Sequence, residues 1–572
     1  MQRVDRDTTA LIAERVRALG DSAAAPRAFT PGGEGERSSW YEKTPITINP
    51  PAEALGYQPA DEARDVASLL EGYARNSTEL DGQGAEPGDV LLLDLDTAFR
   101  IAASSGREYR QAEEDFILSV ISLLVERHRW SPRLFNDTSV LLDGQGDSGT
   151  FDAASSVINT LRVTQRLPFG GDVEARWVTR AAQELVNEST NAYTSSSELV
   201  LSADVPLLRG AGQIAREDLI QAERNTVYAS RDWERFRRTL LVNIAADYFQ
   251  LLQSKAGIAN QQRQLDSQIR RQRETAAKVQ AGRFEPFQND IVADAVKQSE
   301  AQLANQRESF ILQLERFKVR LGLDPLTRIK LGEPRLELLE PSQSPDAAAE
   351  AALLYRLDLQ NRRDRLIDFE RAVANAKNSV LPDLDLFADV TVPTDPNDDQ
   401  GGLGLDQEDT SYSVGATFSL PLDRRIERLS VRQAQISLER ARRSYDEFRD
   451  NVIIDARRAI RAIDLARFQL QLAETQIEIN ERGLEDLSLR DNADPQSVLD
   501  RQNALLAAEN ARDRAVTDLR NAVLGYLETT GQMRVAPDGT FNAPGGMVIP
   551  EPAAPDAGGG DGSSGAGGAG GG

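Results

Sequence analysis

LIQAERNTVYASRDWERFRRTL, residues 219–240, and VRQAQISLERARRSYDEFRDNV, residues 431–452, decide the fold. In the first, Leu219, Ala222, Thr226, Ala229, Trp233, Phe236 and Leu240 recur alternately three and four residues apart. That spacing puts them in one seam of a coiled coil, facing a partner helix. The second repeats the seam 212 positions later as Val431, Ala434, Leu438, Ala441, Tyr445, Phe448 and Val452. Side-chain identities follow the register, since Gln221-Ala222 recurs as Gln433-Ala434 and Phe236-Arg237 as Phe448-Arg449. The chain is therefore internally duplicated.

Working outward, the helix running from about Gly212 to Ala281 is far longer than a globular helix and spans on the order of 100 Å at 1.5 Å per residue. The helical pattern breaks at Ala281-Gly282 and again at Ala493-Asp494, which predicts two hairpin turns with Gly282 opposite Asp494. Return helices follow from about Phe287 to Leu321 and from about Gln496 to Thr529, stopped by Gly322 and Gly531. Over these the offset falls to 209, so the two turns differ slightly in length. A shorter helical stretch precedes each half, over Asp94–Arg129 and Ala347–Val380.

Strands lie between the short and long helices. Tyr412, Val414, Ala416, Phe418 and Leu420 alternate with Ser411, Ser413, Gly415, Thr417 and Ser419. Leu384, Leu386, Ala388, Val390 and Val392 alternate with mostly polar residues, as do Leu199, Leu201, Ala203 and Val205. Such alternation suits either a packed sheet or a membrane barrel, whose strands need about 9–11 residues. A pair of strands per half gives about four per chain, too few to close a barrel alone, so a barrel requires several subunits. Gly/Asp-rich stretches at Asp143–Asp152 and Thr394–Asp409 read as exposed loops. Val157–Leu167 and Val173–Thr179 alternate as well, and read as an additional hairpin or an elaborated loop.

Composition removes other classes. A net charge of -24 and a pI near 4.7 argue against a nucleic-acid binder, which needs a basic face. With no Cys there is no thiolate chemistry, and the one His, His128, sits between arginines without the partners a catalytic base needs. No run of 18 apolar residues predicts a membrane helix, and Met1–Arg17 lack the apolar core of a secretory signal. Gly144-Gln-Gly-Asp-Ser-Gly149 matches a dinucleotide fingerprint as a string but opens no periodic helix, and reads as turn glycines. Asp395–Gln400 approaches a calcium loop but has Gln400 where Gly is needed. No enzyme, cofactor or metal site is expected.

The order and spacing of the duplicated halves resemble the TolC-like outer-membrane efflux family across residues 90–533. Asp94–Tyr109 with its echo ending at Leu359, Val205-Pro-Leu-Leu-Arg-Gly210, Leu420-Pro-Leu-Asp423 and Leu314–Gly322 carry the likeness. It implies a mainly α chain with a β-barrel portion: duplicated helical hairpins forming an α-barrel, plus about four transmembrane strands in each of three subunits, twelve in all. Leu199, Leu201, Leu384, Leu386, Tyr412, Val414 and Phe418 would then line the barrel strands, and Trp233, Phe236, Leu240, Tyr445, Phe448 and Val452 the coiled-coil seam. The homotrimer would sit in outer-membrane lipid with its helices in the periplasm, meeting a periplasmic adaptor (membrane fusion) protein and an inner-membrane pump. It would be the passive exit duct of a tripartite efflux or type I secretion system. The entrance would involve Gly282, Asp290, Asp491, Asp494, Ser497 and Asp500; Val498-Leu-Asp500 is similar to one gating acid of the family, while the position of the other holds Ser497. The organisation expected is an extension and linker (1–90), a first repeat (91–322), a linker (323–346), a second repeat (347–533) and a Pro/Gly-rich tail (534–572). The rival is a soluble or periplasmic coiled-coil scaffold or adaptor, which the heptads satisfy but for which the strands have no purpose.

Overall fold

Each half opens with a pair of short helices whose boundary is set by one extended residue. A computed structural model describes residues 2–18, 91–147, 150–184, 193–332, 341, 343–394, 404–406, 408–490, 493–535 and 541–542. Helix α1 (Gln2–Ala18) and strand β1 (Leu91–Leu93) come first, then α2 (Leu95–Ser105) and α3 (Arg107–Arg129). Asp94 caps α2 by accepting from the Thr97 N–H at 2.8 Å, and Gly106, at φ −61°, ψ 128°, breaks α2 from α3. The sheet strands β2 (Arg133–Asp147), β3 (Thr150–Arg166), β4 (Asp172–Glu184) and β5 (Tyr193–Pro206) follow, and then the long hairpin of α4 (Glu217–Gln280) and α5 (Pro286–Leu321).

After β6 (Ile329–Leu331) the plan repeats. Helices α6 (Pro345–Tyr355) and α7 (Leu357–Asn378) are capped by Ser344 and broken at Arg356, which has nearly the backbone of Gly106 at φ −72°, ψ 116°. Strands β7 (Asp383–Pro393) and β8 (Ser411–Ser419), the hairpin of α8 (Arg425–Ser488) and α9 (Pro495–Thr529), and the short β9 (Arg534–Val535) and β10 (Phe541–Asn542) are the remaining elements among the described residues. Both α4 and α8 have 64 residues.

The seams pack as their spacing requires. Trp233 is buried beneath α3, with Phe116, Ile117, Val120 and Leu123 on one side and Leu11, Ile12 and Val16 of α1 beside them. It meets the Tyr109 ring edge-on at 5.0 Å and stacks on Phe236 at 6.2 Å. In the other half Val452, Tyr445 and Phe448 pack with Ala352 and Leu359 of α6 and α7. Leu240 belongs to the largest core cluster, where α2, α4, α5, α8 and α9 meet the parallel pair β1–β6. There the buried Tyr248 hydroxyl donates to the Leu93 carbonyl at 3.1 Å and the Gly332 carbonyl at 2.6 Å, tying β1 to the end of β6. Residues 323–332, expected as part of a linker, thus include a strand paired with the first half.

Gly322 and Gly531 end α5 and α9 in the left-handed region, at φ 82° and 70°. Each lies against the end of the short helix of its own half: a Cβ would come within 2.2 Å of the Ser105 carbonyl oxygen at Gly322 and 2.7 Å of the Tyr355 oxygen at Gly531. Gly322→Ala should therefore cost about 1–2 kcal/mol for its backbone conformation alone, plus the displacement of Ser105. Gly525→Ala, inside α9 with open space at Cβ, should instead gain roughly 0.5–1 kcal/mol. Parallel thermal melts followed by circular dichroism would show the two shifts with opposite sign.

The sheet is larger than the sequence suggests. Six strands form one antiparallel sheet in the order β2-β3-β4-β5-β7-β8. The segment expected as an additional hairpin or an elaborated loop is a full hairpin, β3 and β4, paired between β2 and β5, so that the described residues form two strands beyond the two pairs. The Asp143–Asp152 stretch is not simply a loop, because pairing runs out to Asp147 opposite Thr150. Of the Thr394–Asp409 loop, Thr394 bridges to Leu405, while residues 395–403 lie outside the described residues, as do residues 19–90 and most of the tail.

Candidate functional site

Two features stand apart from structural packing: the outer face of the sheet and the tips of the hairpins. Direct cross-strand partners share a face, so the register assigns every sheet side chain. One row reads Leu134, Val163, Ala175, Leu201, Val390 and Tyr412 across all six strands. The predicted strand residues Leu199, Leu201, Leu384, Leu386, Tyr412, Val414 and Phe418 all fall on this face. It is bare: Tyr412 is 81%, Val414 77% and Leu134 67% exposed. Exposed apolar patches beyond a few hundred Å² mark a surface that meets lipid or a partner.

The opposite face is charged. Asp385 and Asp389 of β7 and Asp204 of β5 occupy it, together with a strip of arginines that sequence reading did not single out: Arg133, Arg162, Arg166, Arg176 and Arg180. Arg162 approaches Asp137 at 3.5 Å, and the Arg133 and Arg162 guanidiniums lie 5.4 and 5.0 Å from the Phe135 ring centre. The signal available beforehand was their even spacing from one another along β3 and β4.

At the tips the local chemistry is helix capping. Asp494 begins α9, its carboxylate accepting from the Ser497 N–H at 3.2 Å and the Ser497 hydroxyl at 3.3 Å, with Pro495 at the first helical position. The equivalent residue on the other tip is Glu285, which forms a capping box with Gln288 ahead of Pro286. This corrects the alignment of Gly282 with Asp494. Gly282 instead follows the end of α4 at φ 72°, accommodating a left-handed turn. Helix α8 ends about one turn sooner than the seam offset implies, at Ser488 with Leu489 as its cap.

Asp500 accepts from Gln496 at 3.0 Å and, like Asp290, is exposed. Asp491 lies outside the described residues. Among those described, no three acidic or histidine side chains converge as a metal site would require. The two tips enclose a cleft of about 140 Å³ whose lining includes Arg271, Lys278, Phe284, Arg490 and Val498. Basic residues thus accompany the carboxylates at this end, which the acidic bulk composition conceals. Removing the cap with Asp494→Ala should cost about 1 kcal/mol, confined to the tip. Faster amide exchange at Ser497 with an unchanged global melting temperature is the expected result.

Between the sheet and the tips the halves are locked by buried charge. Glu234 accepts from Arg237 at 2.8 Å and Arg238 at 2.9 Å, with Glu234 and Arg237 almost wholly enclosed. Arg238 also reaches the Gly531 carbonyl at 3.3 Å and Thr239 donates to Glu528 at 2.6 Å, joining α4 to the end of α9. Toward the sheet, Tyr228 donates to Asp368 at 2.6 Å; burial, with that carboxylate beside it, pushes the phenol up to about 12.

No protein-family model and no curated protein matches the chain. Solved structures do. The outer-membrane channel OprN aligns over 86% of this chain and 97% of its own, with 16% identity and a TM-score of 0.58. The fold is that of an outer-membrane channel. The outer membrane protein VceC from Vibrio cholerae aligns over 76% of this chain and 96% of its own, at 15% identity and a TM-score of 0.59. The Campylobacter jejuni CmeC outer membrane channel gives 85%, 94%, 14% and 0.57. These likenesses span nearly the full length of each channel, so the duplicated hairpins and the sheet belong to one shared architecture.

Proposed function

We propose that this chain is one of three copies of an outer-membrane channel-tunnel, the passive exit duct of a tripartite efflux or type I secretion system. The observation that carries the reading is the bare apolar face on a sheet mounted at one end of two helical hairpins whose longer helices each have 64 residues. Water penalises that face and lipid does not, whereas the opposite, charged face suits an aqueous lumen. A coiled-coil scaffold or adaptor would use the heptads but has no need of the apolar wall.

In this reading the helices cross the periplasm. With a long helix of 64 residues, each hairpin reaches roughly 100 Å, enough to carry the tips toward an inner-membrane pump. The tips, with Gly282, Asp290, Asp491, Asp494, Ser497 and Asp500 near their turns, form the entrance and meet the adaptor, and their basic neighbours Arg271, Lys278 and Arg490 contribute to the charge presented there. Transport is conduction along a polar passage, with direction supplied by the pump. No covalent step is assigned to any residue.

Membrane fractionation followed by cross-linking and planar-bilayer recording tests this. The expected result is an outer-membrane protein extracted only by detergent, trimeric, and ion-conducting. A protein that stays soluble without detergent, or that cross-links only as monomer, refutes the duct.

A further inference from the structure

We infer that three copies of this chain close an eighteen-stranded barrel, with the inserted β3–β4 hairpin forming two of the six staves that each copy contributes. The inference rests on the duct reading above and goes beyond it, since the expectation there was twelve strands.

Four observations place the hairpin in the wall. First, pairing is continuous: β2 pairs with β3 from Arg133↔Thr164 to Asp147↔Thr150, and β4 with β5 from Asp172↔Asp204 to Gln183↔Tyr193. The edge of β5 that β2 would need for a four-stranded sheet is occupied by β4. Second, the hairpin has the right faces. Leu161, Val163, Val173 and Trp177 lie on the same exposed apolar face as Leu201 and Tyr412, while Arg162 and Arg176 lie on the charged one. A one-residue slip would reverse this.

Third, the hairpin turn is anchored to the body. The Gly212 N–H donates to the Phe169 carbonyl at 2.7 Å, and a Cβ on Gly171 would sit 1.8 Å from the Asp204 carbonyl oxygen. A flap outside the wall would need no such close approach of backbone to backbone. Fourth, the sense of the strands permits closure. Because the number of strands is even and every neighbouring pair is antiparallel, β2 and β8 run in opposite directions. The β8 edge of one copy therefore meets the β2 edge of the next in antiparallel fashion, and repetition of that heterologous contact closes a ring. A second copy of the chain is thus the occupant of both open edges, and closure removes the exposed backbone donors that an open edge leaves.

Barrel diameter grows roughly linearly with strand number. Eighteen staves in place of twelve widen the wall about 1.5-fold and its cross-section about 2.3-fold. The added staves also bring Arg162, Arg166, Arg176 and Arg180 to the lumen side, so the insert changes both the width of the barrel and the charge of its lumen.

Electron cryomicroscopy of the full-length, detergent-purified protein counts the staves directly. Eighteen around a three-fold axis is the expected result. Twelve, with residues 150–184 outside the wall, overturns the inference while leaving the duct reading intact; absence of any membrane-embedded ring overturns both. A second measurement uses the lack of native cysteine. Leu134→Cys on β2, combined in turn with Tyr412→Cys, Val414→Cys and Phe418→Cys on β8, should include at least one pair that oxidises to a covalent trimer. Val140→Cys with Val157→Cys, direct partners across β2 and β3, should close within one chain. Failure of the β2–β3 pair to close in a trimeric sample counts against the hairpin as wall.

Discussion

Leu201→Arg should abolish assembly in the outer membrane, while Ser202→Arg one residue away should be accepted. Leu201 sits in the apolar row between Ala175 and Val390, and Ser202 on the other face between Glu174 and Asp389. An arginine on the lipid side of a barrel costs about 2–4 kcal/mol near the bilayer midplane, and each closed ring would carry the substitution three times. On the lumen side the new guanidinium meets carboxylates on both neighbouring strands and remains in water. The amount of detergent-resistant trimer in the outer-membrane fraction measures both. Equal tolerance of the two variants would mean that the sheet is not a lipid wall, because a sheet in water has no reason to distinguish these faces so sharply.

The second large effect concerns the lock between the halves. Glu234→Ala removes the carboxylate shared by Arg237 and Arg238 in an enclosed site. Breaking a buried pair by taking one partner away typically costs about 3–5 kcal/mol, since the remaining charge stays desolvated. The expected outcome is a strongly lowered melting temperature and loosened attachment of α4 to the end of α9. Replacing Arg237 by Met together with Glu234→Met should recover part of the loss, as apolar replacement of both partners often does. If Glu234→Ala melts like the unaltered protein, the cluster contributes nothing to holding the halves together.

The helical body was legible because its signals are local and repeat many times. Heptads of small and large residues, and Gly322 and Gly531 at helix ends, each report the nearby backbone. Their duplication made the repeat visible. The strands β5, β7 and β8 were legible for a similar reason, since alternation of apolar and polar residues says which way a side chain points. The tips were read less well. Where a helix stops depends on competition between caps, and the sequence offset aligned Gly282 with Asp494 although Glu285 is the residue that caps the corresponding helix.

Alternation fixes a strand's two faces but not its neighbours, because pairing is decided by backbone hydrogen bonds between segments far apart in the chain. Strand β2 was expected after the short helix but not assigned residues, because Asn136 and Thr138 interrupt its apolar face, which becomes recognisable only when Val163, Leu161 and Asn159 of β3 stand beside it. The β3–β4 segment showed its periodicity beforehand, yet the same string serves a protruding hairpin or two staves of a wall. The close approach of Gly171 to Asp204 and the occupation of β5's edge by β4 distinguish these, and both are facts of tertiary structure. The burial of Glu234 belongs with them: a Glu-x-x-Arg-Arg run on a long helix reads as a solvated face until tertiary packing encloses it and Arg238 reaches the Gly531 carbonyl. The sequence by itself thus determined a duplicated pair of long hairpins with apolar-faced strands at one end. The tertiary structure decided that the sheet has six strands, that all six share one exposed and largely apolar face, and which charges are enclosed, because each of these depends on contacts between segments that local periodicity does not encode.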